Sequence, residues 1–275
     1  MVSGAYQETP EAPFTLGMEV AGYVTALGEG VTTPALGTRV AVFGGSGGLA
    51  EFGCFPAALC LTLPDSMSAT DAAAFQVAYG TSHVALTHRA HLQPGERLLV
   101  LGAAGGVGLT AVEIGKLLGA EVIAVARGAE KCAVVKEMGA DHVLDAQDDI
   151  LPALKALGGV DVVYDPVGGA LFKAALRAAK PEARVITIGF ASGDVPQIPA
   201  NILLVKNLSV LGFYWGGYLK FRPDVVTDSL ARLAAWHTQG KLAPHISHIL
   251  PLERAAEGLA LLKNRKSTGK VVITL

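Results

Sequence analysis

The stretch Arg97 to Arg127, RLLVLGAAGGVGLTAVEIGKLLGAEVIAVAR, constrains this chain more than any other. An apolar run, Leu98–Leu101, leads into Gly102-Ala103-Ala104-Gly105-Gly106-Val107-Gly108. A helix-forming stretch from Leu109 to Leu118 follows, and after Gly119 comes a second apolar run, Glu121–Ala126. Strand, glycine turn, helix and second strand make the first β-α-β unit of a dinucleotide-binding domain. Each part has a physical task. Glycines let the backbone approach a pyrophosphate, and the unpaired N–H groups of a helix start bind the anion. The glycine pattern alone is a weak sign; set between strand and helix it is a strong one.

The end of the second run bears on which nucleotide fits. Sites for NAD place Asp or Glu there to hold the ribose 2′-hydroxyl. This strand ends Val125-Ala126-Arg127-Gly128, with Glu130 slightly beyond the tip and Lys131 on the following turn. Two cations and no strand-end carboxylate favour the 2′-phosphate of NADPH. The bland alternative is a pair of solvated surface charges.

Around this unit the chain has three zones. From Phe14 to about Leu63, short β-branched runs are broken by Gly and Pro: VAGYVTALG, TRVAVFGG, GLAEFGCF and LCLTLP. They read as a β-rich, barrel-like module. The loop Gly44–Gly48 reads as a flexible connector, because Leu49-Ala50-Glu51-Phe52 continues as strand and offers no helix N-terminus to an anion. From about Ser68 to Leu211, helix-like segments alternate with wholly apolar runs. Thr70-Asp71-Ala72 looks like a capped helix start. Strands are expected at Arg97–Leu101, Glu121–Ala126, His142–Leu144, Val160–Tyr164, Arg184–Ile188 and Leu208–Leu211. Runs this apolar suit a parallel sheet covered on both faces, hence a doubly wound α/β fold. Beyond Pro223, helices are expected over Val225–Gln239 and from Leu252 to about Asn264, then a last strand, KVVITL.

Composition narrows the classes. Hydrophobic residues are 51% and charged residues 17%, a globular and not a disordered balance. The net charge of −2 gives no reason to expect nucleic acid or an anionic membrane as partner. Cys54, Cys60 and Cys132 form no close pair, which suits a reduced, cytoplasmic setting. They are too few to close a structural zinc site. MVSGAYQETPEAP lacks the basic and apolar regions of a signal peptide. No apolar stretch reaches membrane-spanning length. Ser46, Ser192 and Ser209 lack a nucleophile elbow, which disfavours a hydrolase.

LLVLGAAGGVGLTAVEIGKLLGA, GADHVLD, VDVVYDPVGG, RVITIGFASG, IPANILLVKN–GFYWG and RKSTGKVVITL together resemble the zinc-independent quinone oxidoreductases of the medium-chain dehydrogenase/reductase superfamily. The resemblance runs from Gly4 to Leu275. It implies a Rossmann domain, residues 80–218, inserted into a GroES-like barrel domain made of residues 1–79 and 219–275. Zinc-dependent relatives carry Gly-His-Glu where this chain reads Gly17-Met18-Glu19, and a thioether is a poor substitute for imidazole on Zn²⁺. His83, His88 and His91 would not share a helix face, and His245 and His248 read as surface residues.

The resemblance further implies hydride transfer from NADPH to quinones or other α,β-unsaturated carbonyls, in a homodimer that pairs its Rossmann sheets. Tyr6 lies where the family places a substrate-side tyrosine, and Thr81 near the nicotinamide; Tyr79 is close in sequence and lines the cleft in this reading. Gly102, Ala104, Gly105, Gly106, Val107 and Gly108 hold the pyrophosphate, and Arg127 and Lys131 the 2′ end. Val167, Gly189, Phe190 and Lys270 approach the cofactor. The rings of Phe213, Tyr214 and Trp215 either flank nicotinamide or quinone or pack in the core or the dimer contact. Two rival functions stand: a 2-enoyl thioester reductase, and a low-turnover NADPH-binding sensor or interaction protein. Relatives carry several dozen residues before the position of Gly4, so the expected barrel lacks its first strands, is mobile, and supports weak turnover.

Overall fold

The apolar runs of the middle zone become the central strands of one parallel sheet. A computed structural model describes residues 11–275. It contains β4 (Arg97–Val100), β5 (Glu121–Ala126), β6 (His142–Asp145), β7 (Val160–Asp165), β8 (Ala179–Thr187) and β9 (Ser209–Gly212) in the order β6-β5-β4-β7-β8-β9. Every neighbouring pair is parallel. Counted from β4 the order is 3-2-1-4-5-6, so the winding reverses between β4 and β7. Both faces are covered, which is why Leu98, Leu99 and Val100 are all fully buried instead of alternating.

The helices α2 (Gly106–Leu117), α3 (Ala129–Glu137), α4 (Ile150–Ala156), α5 (Gly169–Ala178) and α6 (Ala200–Lys206) connect these strands. On one face Leu99, Ile123, Val125 and Val163 pack with Leu154, Phe172 and Leu176. On the α2 side a Cβ at Gly115 would lie 2.6 Å from Leu98 and 3.1 Å from Val122, so glycine lets the helix lie close on β4 and β5. Two boundaries differ from expectation. Helix α2 starts at Gly106, three residues before Leu109, because the glycine turn itself enters the helix. Strand β8 starts at Ala179, with its register against β7 shifting between Val160 and Val162.

Helix α1 (Ala69–Val84) is capped by Ser68, not Thr70: the Ser68 Oγ accepts the Asp71 N–H at 3.0 Å. It runs on into a π turn over Ala85–Arg89. In the first zone β1 (Glu19–Tyr23), β2 (Arg39–Phe43) and β3 (Cys60–Thr62) form an antiparallel sheet. The expected strand through Leu49–Phe52 does not form. Nor is Gly44–Gly48 a loose connector. Gly44 and Gly45 donate to the Met18 carbonyl, Gly47 to Thr15, Gly48 to Gly17 and Leu49 to Leu16. Backbone lies on backbone here, since a Cβ at Gly17 would fall 2.6 Å from the Leu49 nitrogen.

The C-terminal part holds α7 (Trp215–Phe221), α8 (Pro223–Thr238), β10 (Ile246–Pro251), α9 (Ala255–Lys263) and β11 (Lys270–Thr274), with β10 and β11 paired. His248 thus belongs to a strand, and half-buried His245 bonds through Nε2 to Thr268 at 2.9 Å. The chain divides into two units, one of residues up to Gln76 with His248–Lys266 and Val271–Leu275, the other of Val77–Ser247 with Ser267–Lys270. The second boundary falls after Ser247, where sequence suggested 218/219. Helix α8 stays with the larger unit because the His83 Nδ1 meets Ser229 Oγ at 2.8 Å and the His83 ring stands edge-on to Trp236. Among the described residues no helix is long and apolar enough to cross a membrane.

Candidate functional site

At the C-terminal end of β4 the chain turns through Gly102 and rises into α2. Gly102 has φ +60°, and a Cβ on it would meet Val167 at 2.8 Å. Gly108 faces inward: a Cβ there would overlap the Gly102 carbonyl oxygen and lie 2.7 Å from the Ala103 Cα. Gly105 does the opposite. It is exposed, adopts φ −79° and ψ 171°, and a Cβ on it would touch only the Gly102 oxygen at 3.4 Å. As N-cap of α2 it offers no side-chain acceptor. The first N–H groups of the helix have no intrahelical acceptor, so the turn presents donors and the positive end of a helix of 12 residues. That is a cradle for a phosphate group. Beside it, Gly269 bridges to Gly105 and donates its N–H to Ala104, which lays Lys270 against Gly106.

The loops after β7 and β8 form the neighbouring wall. Asp165, fully buried at the end of β7, accepts the N–H groups of Val167 at 2.7 Å and Gly168 at 2.8 Å through Oδ1. Its main-chain oxygen accepts from Ile188 and Gly189. Burial pushes this carboxyl above its usual range, against the pull of the two N–H groups. Ser192 Oγ donates to the Val167 carbonyl at 2.6 Å, so the two loops are laced together. Val167 thereby packs over the glycine turn, and Phe190 stands exposed at the rim.

Three buried hydroxyls lie beneath the helix start, and sequence reading missed them. Ser82 Oγ is 2.9 Å from the Val107 carbonyl, 2.8 Å from Thr110 Oγ1 and 3.0 Å from the Tyr164 hydroxyl. If Ser82 donates to Val107, its two lone pairs can accept from Thr110 and Tyr164, and every hydroxyl is satisfied. Burial raises the Tyr164 pKa, so the phenol stays neutral. The cluster fixes α1, α2 and β7 to one another directly below the cradle. Thr81, buried at 7% exposure, is its neighbour on α1. Nothing in the sequence pattern flagged Ser82 or Thr110, since each sits in an apolar run as a small residue would.

Several expected roles change. Tyr79 does not present its hydroxyl to a cleft. It is 1% exposed, and that hydroxyl donates to Glu113 Oε2 at 2.6 Å. The other Glu113 oxygen accepts the Ala243 N–H at 2.8 Å. Burial lifts the Glu113 carboxyl above its usual range, opposed by these bonds. Tyr79 is a structural tie. Phe213 and Trp215 are buried, at 8% and 4% exposure. Trp215 covers Gly80, where a Cβ would come within 2.8 Å of the indole nitrogen, and Phe213 packs on Tyr218. Tyr214 is half-buried. Tyr6 lies outside the described residues.

At the tip of β5 Arg127 is exposed, and Lys131 is half-buried on the first turn of α3. A carboxylate that sequence reading did not place there stands beside them. Asp145, ending β6, accepts the Gly128 N–H with both oxygens at 3.1 Å. Among the described residues no three His, Cys, Asp or Glu side chains converge as ligands, and all three cysteines are free.

Comparison with known proteins agrees with this geometry. Residues 1–65 match the alcohol dehydrogenase GroES-like domain, and residues 106–234 the zinc-binding dehydrogenase family. The quinone oxidoreductase-like protein 2 homolog of Nematostella vectensis is 42% identical over 277 residues, spanning 98% of this chain and 76% of that protein. The quinone oxidoreductase of Thermus thermophilus, solved also in complex with NADPH, superposes with a TM-score of 0.85 at 33% identity, over 99% of this chain and 85% of its own. That of Escherichia coli, complexed with NADPH, gives 0.89 at 27% identity, over 98% and 85%.

Proposed function

Because this chain belongs to the medium-chain dehydrogenase/reductase superfamily, among its quinone oxidoreductase-like members, we propose that it reduces quinones or other conjugated enones with NADPH, without zinc. The observation that carries the reading is the glycine turn Gly102–Gly108 at the uncapped start of α2, placed where the sheet reverses its winding. The Thermus and Escherichia coli enzymes were solved with NADPH, which supports the same nucleotide here. Bound there, NADPH supplies the hydride. The chain's own contribution is placement. The α2 N–H groups would hold the pyrophosphate, Arg127 and Lys131 would attract the 2′-phosphate, and Val167 and Phe190 would border the cofactor's loops.

Zinc independence rests on Met18, which stands where zinc-dependent relatives have a ligating histidine. A conjugated carbonyl needs no Lewis acid to accept hydride at carbon, provided a polar group stabilises the developing oxyanion. The test is NADPH consumption against a panel of quinones, enones and 2-enoyl thioesters, with and without a chelator. Turnover of quinones or enones that survives chelation is expected. Preference for the thioesters, or tight nucleotide binding with no turnover on any member, overturns the reading.

A further inference from the structure

The tip of β5 carries an anion that its own strand does not supply. Asp145 is level with Ala126 in the parallel register of β5 and β6. Both its oxygens accept the Gly128 N–H, and Oδ1 also accepts the Gln147 N–H at 2.9 Å. These two N–H groups, with the charge of Arg127, hold the carboxyl below its usual range, so it is ionised at neutral pH. Gly128, at φ +83°, is the N-cap of α3 and has no side chain to cap it. Asp145, on the next strand, instead ties down the Gly128 N–H. The place expected to hold the 2′ end of the nucleotide is therefore of mixed charge: exposed Arg127, Lys131 one turn on, and a carboxylate against Gly128.

From this juxtaposition we infer that Asp145 is a specificity-determining residue of the nucleotide site, whose charge opposes the 2′-phosphate that Arg127 and Lys131 attract and leaves the site open to NADH. The inference rests on the nucleotide reading above. The physics is a difference between two ligands. A 2′-phosphate carries about −1.5 to −2 charges near pH 7 and feels the carboxylate. A ribose 2′-hydroxyl is neutral and does not. Asp145 commits three acceptor positions to main-chain N–H groups, so it is not arranged as a ribose clamp.

The test measures equilibrium dissociation constants of NADPH and NADH for the wild type and Asp145→Asn, at low and high salt. Asparagine keeps the shape and an acceptor for Gly128 while removing the charge. The expected result is NADPH binding about three- to tenfold tighter, shrinking at high salt, with NADH changed by less than about twofold. The wild type is expected to prefer NADPH by less than about a hundredfold. An unchanged ratio overturns the inference. So does equal weakening of both nucleotides, which marks a backbone tie and nothing more, or selective loss of NADH, which marks a ribose ligand. If Asp145→Asn does not fold, Asp145→Ser, also neutral and still an acceptor, reads the same ratio. A wild type that binds neither nucleotide sinks the nucleotide reading itself; one that binds both with a ratio blind to Asp145 sinks only this inference.

Discussion

Two glycines three residues apart are assigned different tasks, and adding a single methyl to each separates them. At Gly108 a Cβ would overlap the Gly102 carbonyl oxygen and sit 2.7 and 2.8 Å from Ala103 backbone atoms. Ordinary carbon contacts lie at about 3.5–4.0 Å, so helix and turn must part by close to 1 Å. The turn cannot yield easily. Leu101 donates to Tyr164, Ala103 to Val125 and Gly105 to Gly102. Such overpacking costs about 1–3 kcal/mol. The gain in helix propensity from Gly to Ala returns at most about 1 kcal/mol. A net loss near 1–2 kcal/mol lowers the melting temperature by roughly 2–8 °C for a domain of 150–250 residues. At Gly105 the backbone is in the extended region that alanine adopts freely, and the nearest atom to a Cβ is at 3.4 Å. Gly105→Ala should melt within about 1–2 °C of wild type. Its methyl stands at the exposed mouth of the cradle, and loss of one charge-assisted hydrogen bond to the phosphate is worth about 1.5–3 kcal/mol, tenfold or more in affinity. Thermal denaturation and calorimetric NADPH titration of both variants decide the matter. If Gly108→Ala melts with the wild type, or Gly105→Ala binds NADPH as tightly, the division of labour is wrong.

Three other outcomes are expected. Burial, and secondarily the charge of Arg232, lowers the His83 pKa from 6.5 to about 4; the unfolded chain takes up this proton first, so stability is lost as pH falls from 6.5 toward 4. At about 1.4 kcal/mol per pH unit the loss is roughly 3 kcal/mol, and urea unfolding of His83→Gln should lack that slope. Tyr79→Phe should cost about 1–3 kcal/mol by stripping a donor from the half-buried Glu113 carboxylate, while kcat changes by less than about twofold; a large loss of kcat with intact stability would restore a catalytic role. The chain should sediment as a homodimer at micromolar concentration, because β9 is an edge strand of the sheet and Leu204 and Val205 on the adjoining α6 are exposed; a monomer there counts against it.

The sequence by itself determined the parallel sheet and its nucleotide turn. Continuous apolar runs such as Leu98–Leu101 and Glu121–Ala126 have no polar face to offer water, so burial on both sides is their only stable setting. A glycine turn between strand and helix is a local feature, readable wherever short-range chain geometry decides. What the sequence could not decide was which side chains of distant segments meet. Tyr79 and Glu113 are 34 positions apart, Ser82 and Tyr164 82, and His83 and Ser229 146. Whether a tyrosine faces solvent or a buried carboxylate depends on how α1 lies on α2, which no periodicity records. Asp145 is the sharpest case. The tip of β5 ends on Arg127 with no strand-end carboxylate, and only the parallel pairing of β5 with β6 brings one to Gly128, because strands adjacent in a sheet share an end that the sequence keeps 17 residues apart.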